Sequence, residues 1–163
     1  MAPTEVCPRT GDARRRRVLR SILAFAVALL IGMAPAARAD EGYTEEQQFL
    51  ALTNNLRVAS GVAPLAVSGE LTGIARGWAA ELASGGFLAH NWGLDGQASM
   101  RWWILGENVG RGWSVEAIHA AFLASAPHYW NLVDGEYSHV GIGVAHGWDG
   151  RIYVVLDFGG ANY

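Results

Sequence analysis

Ser125-Ala126-Pro127-His128-Tyr129-Trp130-Asn131-Leu132-Val133-Asp134-Gly135-Glu136-Tyr137-Ser138-His139-Val140-Gly141-Ile142-Gly143-Val144 is the stretch where the chain changes its period. Before it, Ser114 caps a helix with Val115, Ile118, His119 and Phe122 on one face, and Pro127 is expected to stop that helix. Asn131 to Tyr137 reads as a loop. After it, Ser138–Val144 and Arg151–Phe158 alternate as strands, joined by a turn containing Asp149-Gly150. His128 thus falls just after a helix and His139 at the entrance of a strand.

Two more helices lie upstream. Thr44-Glu45-Glu46-Gln47 has the form of a capping box, with Phe49, Leu52 and Leu56 at helical spacing and Ser60-Gly61 as the stop. Val62–Val67 is a linker containing Pro64. Ser68 caps the next helix, whose apolar stripe is Leu71, Ile74, Ala75, Trp78 and Leu82, ended by Gly85-Gly86. Phe87–Gly112 reads as irregular, with a turn at Asp95-Gly96 and a helical turn over Met100–Leu105. Helices first and an antiparallel hairpin last make an α+β pattern.

Residues 1–39 have the make-up of a signal peptide. Arg14–Arg17 and Arg20 are basic, Ser21–Met33 is apolar but short for a membrane span, and Ala37-Arg38-Ala39 offers a cleavage site before Asp40. Arg15–Arg20 also has a twin-arginine outline, so either export route is open. A mature chain of residues 40–163 is expected in the extracellular or periplasmic space, without a membrane span. It carries five arginines, no lysine and 13 acidic residues, a net charge of −8. So acidic a surface repels phosphate backbones, which argues against a nucleic-acid partner. The only cysteine is Cys7, so this portion has neither a disulfide nor a thiol nucleophile.

Chemistry therefore rests on histidine and carboxylate. His146 falls in the hairpin loop and reads as exposed, and His119, beside Ile118 and Phe122, as a satisfied core histidine. His90, His128 and His139 each sit where an element starts or ends, the usual place for a site on a rigid scaffold. Glu107 lies among Gly106, Gly110 and Gly112, and reads either as a site carboxylate or as a helix cap. Ser125 and Ser138 lie near histidines, but neither sits in a Gly-x-Ser-x-Gly elbow. Trp92, Trp102, Trp103 and Trp113 either fill the core or form an aromatic surface.

Several motifs resemble one family in order. Asn54 with Arg57, then Gly61 and Pro64-Leu65, match its first helix and linker; Leu71, Ala75 and Ala79, followed by Phe87 to His90, match its second helix and ending. Leu105-Gly106-Glu107-Asn108-Val109 matches its Gly-Glu-Asn box. Ser125-Ala126-Pro127-His128 with Asn131-Leu132, and His139-Val140-Gly141-Ile142-Gly143, match its last two segments. The chain, from about Leu50 to Gly159, resembles the bacterial branch of the CAP superfamily, the SCP-like domain of cysteine-rich secretory, antigen-5 and pathogenesis-related proteins.

The resemblance implies an α-β-α sandwich with a small antiparallel sheet and a central cleft. In that cleft it places His90 and His139 as metal ligands with Glu107 beside them. The family's second glutamate falls near Ser125, and His128 stands in its space as a third candidate metal ligand. A divalent metal such as zinc is the implied cofactor. Two functions follow: a secreted module that binds an extracellular small molecule, lipid or cell-wall component, or a zinc-dependent, protease-like hydrolase with Glu107 as its base.

Overall fold

A computed structural model of the chain describes residues 36–99 and 101–161, with side chains from residue 44 onward. The basic and apolar parts of the expected signal peptide, residues 1–35, lie outside the described residues. The packing that follows belongs to one compact unit, Ala39–Tyr163. Among the described residues no helix is long and apolar enough to cross a membrane.

The elements are α1 (Ala36–Ala59), β1 (Ala66–Val67), α2 (Gly69–Gly85), α3 (Leu94–Gln97), β2 (Trp102–Gly112), α4 (Val115–Leu123), α5 (Ala126–Val133), β3 (His139–His146) and β4 (Ile152–Ala161). These four strands form one sheet in the order β1-β3-β4-β2. β1 runs parallel to β3, and the other two pairs are antiparallel. Helices cover both faces, giving the α-β-α sandwich.

One face carries Val109, Tyr153 and Val155 against Ala75, Ala79, Leu82 and Ala83 of α2. The other carries Val140, Ile142, Val154, Leu156 and Phe158. These pack against Phe49 of α1, Val115, Ile118 and Phe122 of α4, and Leu132 of α5. α2 lies unusually low on β3. A Cβ at Gly141 would strike the α2 backbone at Leu71 and Thr72, and one at Gly143 would strike it at Ala75 and Arg76. Only glycine permits so close an approach of helix and strand.

Arg57 fastens the end of α1. It is fully buried, yet its guanidinium donates only to carbonyls: Nε to Ala63 (2.7 Å), Nη1 to Leu132 (3.0 Å) and Asp134 (2.9 Å), and Nη2 to Tyr137 (2.9 Å). Asn54 brackets Leu65 from the same helix, accepting from its N–H at 2.8 Å and donating to its carbonyl at 3.1 Å. These bonds fix the linker so that Ala66 and Val67 can join the sheet.

Local signals placed several boundaries where expected. Ser68 accepts from Leu71 N–H at 3.3 Å, Ser114 accepts from Ala117 N–H at 3.2 Å, and Gly86 ends α2 in the left-handed conformation. Others differ. α1 begins at Ala36 rather than at the Thr44 capping box, which therefore lies inside the helix. Part of the Val62–Val67 linker is strand β1, too short to leave an alternation.

The largest difference is Phe87–Gly112, expected to be irregular with a helical turn near Trp102. Trp102–Gly112 is instead the longest strand among the described residues, and the short helix of that region is α3. Its glycines conceal the alternation, and side chains lie directly over them: Tyr137 over Gly106, Ile118 and Phe122 over Gly110. Pro127 also acts opposite to expectation. It stands in the first turn of α5, where its missing N–H costs nothing, so His128 and Asn131–Val133 are helical.

Candidate functional site

β2 is an edge strand, and the site forms along it. The chain leaves α2 at Gly86 and runs beside β2 as a strap, held where Trp78 Nε1 donates to the Ala89 carbonyl at 3.0 Å. This brings His90 over the middle of β2. Its Nδ1 lies 2.6 Å from Oε1 of Glu107. The next backbone N–H, at Asn91, donates to both oxygens of the same carboxylate, at 3.0 and 3.2 Å. Asn91 is itself held, since its side chain accepts from Gly93 N–H (3.1 Å) and donates to Gln97 (3.2 Å). Glu107 is nearly covered while the His90 ring is half-exposed.

α5 supplies the opposite wall. Asn131 Nδ2 donates to the carbonyl of Glu107 (3.2 Å) and to Asn108 Oδ1 (2.9 Å), and Asn108 Nδ2 donates to the carbonyl of His128 (3.0 Å). This amide network satisfies one carbonyl of the edge strand and one of α5, and sets the first turns of α5 against the strand. His128 and His90 line a common cavity of about 230 Å³ with Leu88, Ala89 and Val109. His128 packs on Phe122 with ring centroids 5.0 Å apart, and its Nδ1 lies 2.8 Å from Ser125 Oγ. Burial, and then the neighbouring His90, push the His128 imidazole below its ordinary pKa.

Both imidazoles are held through Nδ1. Against a carboxylate, which accepts, an imidazole engaged through Nδ1 has Nε2 left as its second ring nitrogen. His128 is likewise anchored at Nδ1.

The structure therefore brings His90, Glu107 and His128 together and leaves His139 apart. Antiparallel partners share a sheet face, so Glu107, Asp157 and Gly141 form one row beneath α2. His139 belongs to the next row, with Gly159 and Leu105. Two residues along and two strands across separates its Cα from that of Glu107 by roughly 12 Å. Its ring packs instead against Trp102 (5.3 Å), and its Nδ1 lies 2.9 Å from Ser138 Oγ. Two Ser–His pairs thus exist, but among the described residues no acid is hydrogen-bonded to either histidine. Nor, among these residues, do three or more His, Cys, Asp or Glu side chains form a group able to hold a metal ion.

Asp157 is the residue that sequence reading missed. It is fully buried beside Glu107, and among the described residues neither of its oxygens has a hydrogen-bond partner. Burial, and then the charge of Glu107, push its carboxyl up to about 8. The available signal was an acid inside the otherwise apolar run Ile152–Phe158. His119 is buried as expected, but its Nε2 lacks a partner among the described residues, so it is not fully satisfied. His146 is exposed, although at the end of β3 rather than in the loop, and its Nε2 lies 3.0 Å from Glu45 Oε2. Of the four tryptophans in question only Trp102 is buried; Trp92, Trp103 and Trp113 are exposed.

Comparison with known proteins agrees with this architecture. An extracellular SCP-domain protein of Bacillus anthracis superposes with a TM-score of 0.66 at 19% identity, over 78% of this chain and 44% of that one. An outer surface protein of Borrelia burgdorferi gives 0.67 at 16% identity, over 73% and 94%. A cysteine-rich secretory protein of Staphylococcus aureus gives 0.60 at 20% identity, over 73% and 39%. The chain thus spans less than half of two of these proteins, and the likeness is one of fold. No curated protein matches in sequence. The profile of the cysteine-rich secretory protein family, CAP, matches residues 50–158, which is most of the folded unit, and the chain belongs to that family.

Proposed function

We propose that the protein is an exported CAP-domain binding module whose His90–His128 cleft takes a divalent metal such as zinc and, with it, an extracellular small molecule, lipid or cell-wall component. The observation that carries this reading is the pair of imidazoles fixed at Nδ1, one by Glu107 and one by Ser125. Nδ1 anchoring by a neighbouring oxygen is how metal-binding imidazoles are ordinarily oriented. The donor set is two imidazoles, one protein ligand fewer than an open zinc site ordinarily has, so water and the bound ligand would have to supply the remaining positions. When bound, the metal would polarise an oxygen of that ligand. Export accords with the basic and apolar leader and with relatives described as extracellular or outer-surface proteins.

The geometry favours binding over hydrolysis. Glu107 is already engaged by Asn91 N–H and His90, so it orients an imidazole rather than standing free as a base.

Calorimetric zinc titration of the full chain at pH 7.5 and 5.5 tests the reading. Micromolar binding is expected at pH 7.5, weakened at 5.5 as imidazoles protonate, lost in His90→Ala and His128→Ala, and kept in His139→Ala. Absence of binding by the folded protein would overturn the metal. Zinc-dependent cleavage of fluorescent casein, abolished in Glu107→Gln, would overturn the binder in favour of the hydrolase.

A further inference from the structure

The hydrogen-bond phase of the sheet determines which residues of β2 turn their backbone outward. On the opposite border Ser68 N–H donates to the Val140 carbonyl at 2.9 Å, so Val140 faces away from β4. Its partner Phe158 therefore bonds on its other side, to Gly106. Alternation then leaves Glu107, Val109 and Arg111 with their N–H and C=O groups turned to the open edge. Asn131 agrees with this phase from the other direction, since its Nδ2 reaches the Glu107 carbonyl from α5 (3.2 Å).

Neither wall beside this edge pairs with it as a strand. The strap is held through side chains: Trp78 to the Ala89 carbonyl, the Glu107 carboxylate to Asn91 N–H, and Arg111 Nη1 to the Gly86 carbonyl at 3.0 Å. α5 is held by the amides of Asn108 and Asn131. Among the described residues no hydrogen bond engages the outward backbone groups of Val109 or Arg111. Val109 lines the same cavity as Leu88, Ala89 and His90 of the strap and His128 of α5. Nor does a proline or lysine blunt this edge anywhere from Trp102 to Gly112.

We infer that the ligand of this cleft is an extended peptide, which joins β2 as a fifth strand opposite Val109 and Arg111. The inference rests on the cleft being the ligand site and is independent of the metal. Two outward-facing residues offer N–H donors and C=O acceptors at the repeat of a strand, the pattern that another extended backbone matches. A hydrocarbon chain would cover these groups and leave them without partners. The Asn131 amide already occupies the rung at Glu107, so pairing stops there and runs toward Gly112. Side chains of the added strand would alternate between its two faces, and Leu88 and Ala89 favour an apolar one on the side of the strap.

The capped peptide acetyl-Thr-Leu-Thr-Val-Thr-Leu-amide would be titrated into the full chain with chelator present, and backbone amides followed by NMR. Saturable shifts are expected, largest at Val109 and Arg111, with amide exchange at both slowed tenfold or more and Val140 unchanged. The same peptide N-methylated at every residue should produce none of this. Arg111→Pro removes an outward N–H without touching the ladder to β4, and should weaken binding tenfold or more, whereas Arg111→Ala should bind as wild type. Absence of saturable shifts, an equal response to the N-methylated peptide, or full binding by folded Arg111→Pro would overturn the inference. So would equal shifts at Val109 and Arg111 with laurate or chitohexaose, or self-association through this edge without peptide, which would make the occupant a second copy of the chain. Because chelator is present, failure here leaves the zinc reading standing, and failure of zinc to bind leaves this result standing.

Discussion

Glu107 and Asp157 stand opposite each other across β2 and β4, one with partners for its carboxylate and the other with none among the described residues. The pair shares a face under α2, so the charge of one opposes charge on the other. Asp157 holds its proton to about pH 8 in the folded chain, whereas an ordinary Asp releases it near 3.8. The folded state thus binds the extra proton between those values. Its contribution to stability is full below pH 3.8 and declines as pH rises to about 8. Urea unfolding at pH 5, 7 and 9 should show wild type losing stability relative to Asp157→Asn as pH rises, by at most ~1.4 kcal/mol per pH unit. Parallel curves for the two proteins would show that Asp157 is ionised throughout.

Arg57 should be the most costly single charge to remove. Alanine would leave the carbonyls of Ala63, Leu132, Asp134 and Tyr137 without their donor, and a loss of about 3–5 kcal/mol is expected. Arg57→Lys should recover only part of this, because an ammonium cannot reproduce the planar fork. Equilibrium unfolding of the three proteins measures both differences.

Glu107→Ala should free the strap as well as the imidazole. The Asn91 N–H loses both acceptors, at a cost of about 1–3 kcal/mol. Amide exchange at Asn91 should accelerate much more than exchange at Val140 in the sheet core, and equal acceleration at both would point to general loosening instead.

His128 should titrate below an ordinary histidine in metal-free protein. Its depressed pKa means that the unfolded chain takes up the proton first, so this residue's contribution to stability is lost as pH falls through that range. A proton NMR titration should place its midpoint below 6.5, and His90→Ala should move it part of the way back. The larger cause, burial, stays in that variant.

Elements whose signals are local were legible in the sequence. Ser68, Ser114 and Gly86 mark helix ends through bonds to residues three or four positions away, and the β3–β4 hairpin follows from its own alternation. β2 was hidden because the reasons for its glycines, Tyr137, Ile118 and Phe122, lie elsewhere in the chain. The same limit explains the site. Motif order brought out His90, Glu107 and His139, with His128 in the place of the absent second glutamate, but order does not say which rung of a ladder a residue occupies. That is why His139 was grouped with the others and Asp157 went unnoticed. Both facts are matters of strand register.

The contact of α2 with Gly141 and Gly143 has a consequence at a distance. Seating depth of the helix determines where Gly86 lies, and the strap that starts there carries His90 to Glu107. A single methyl group at either glycine would lift the helix, and the imidazole would be displaced from its carboxylate without any change in the cleft itself. The spacing of two layers of backbone is therefore the calibration of the site.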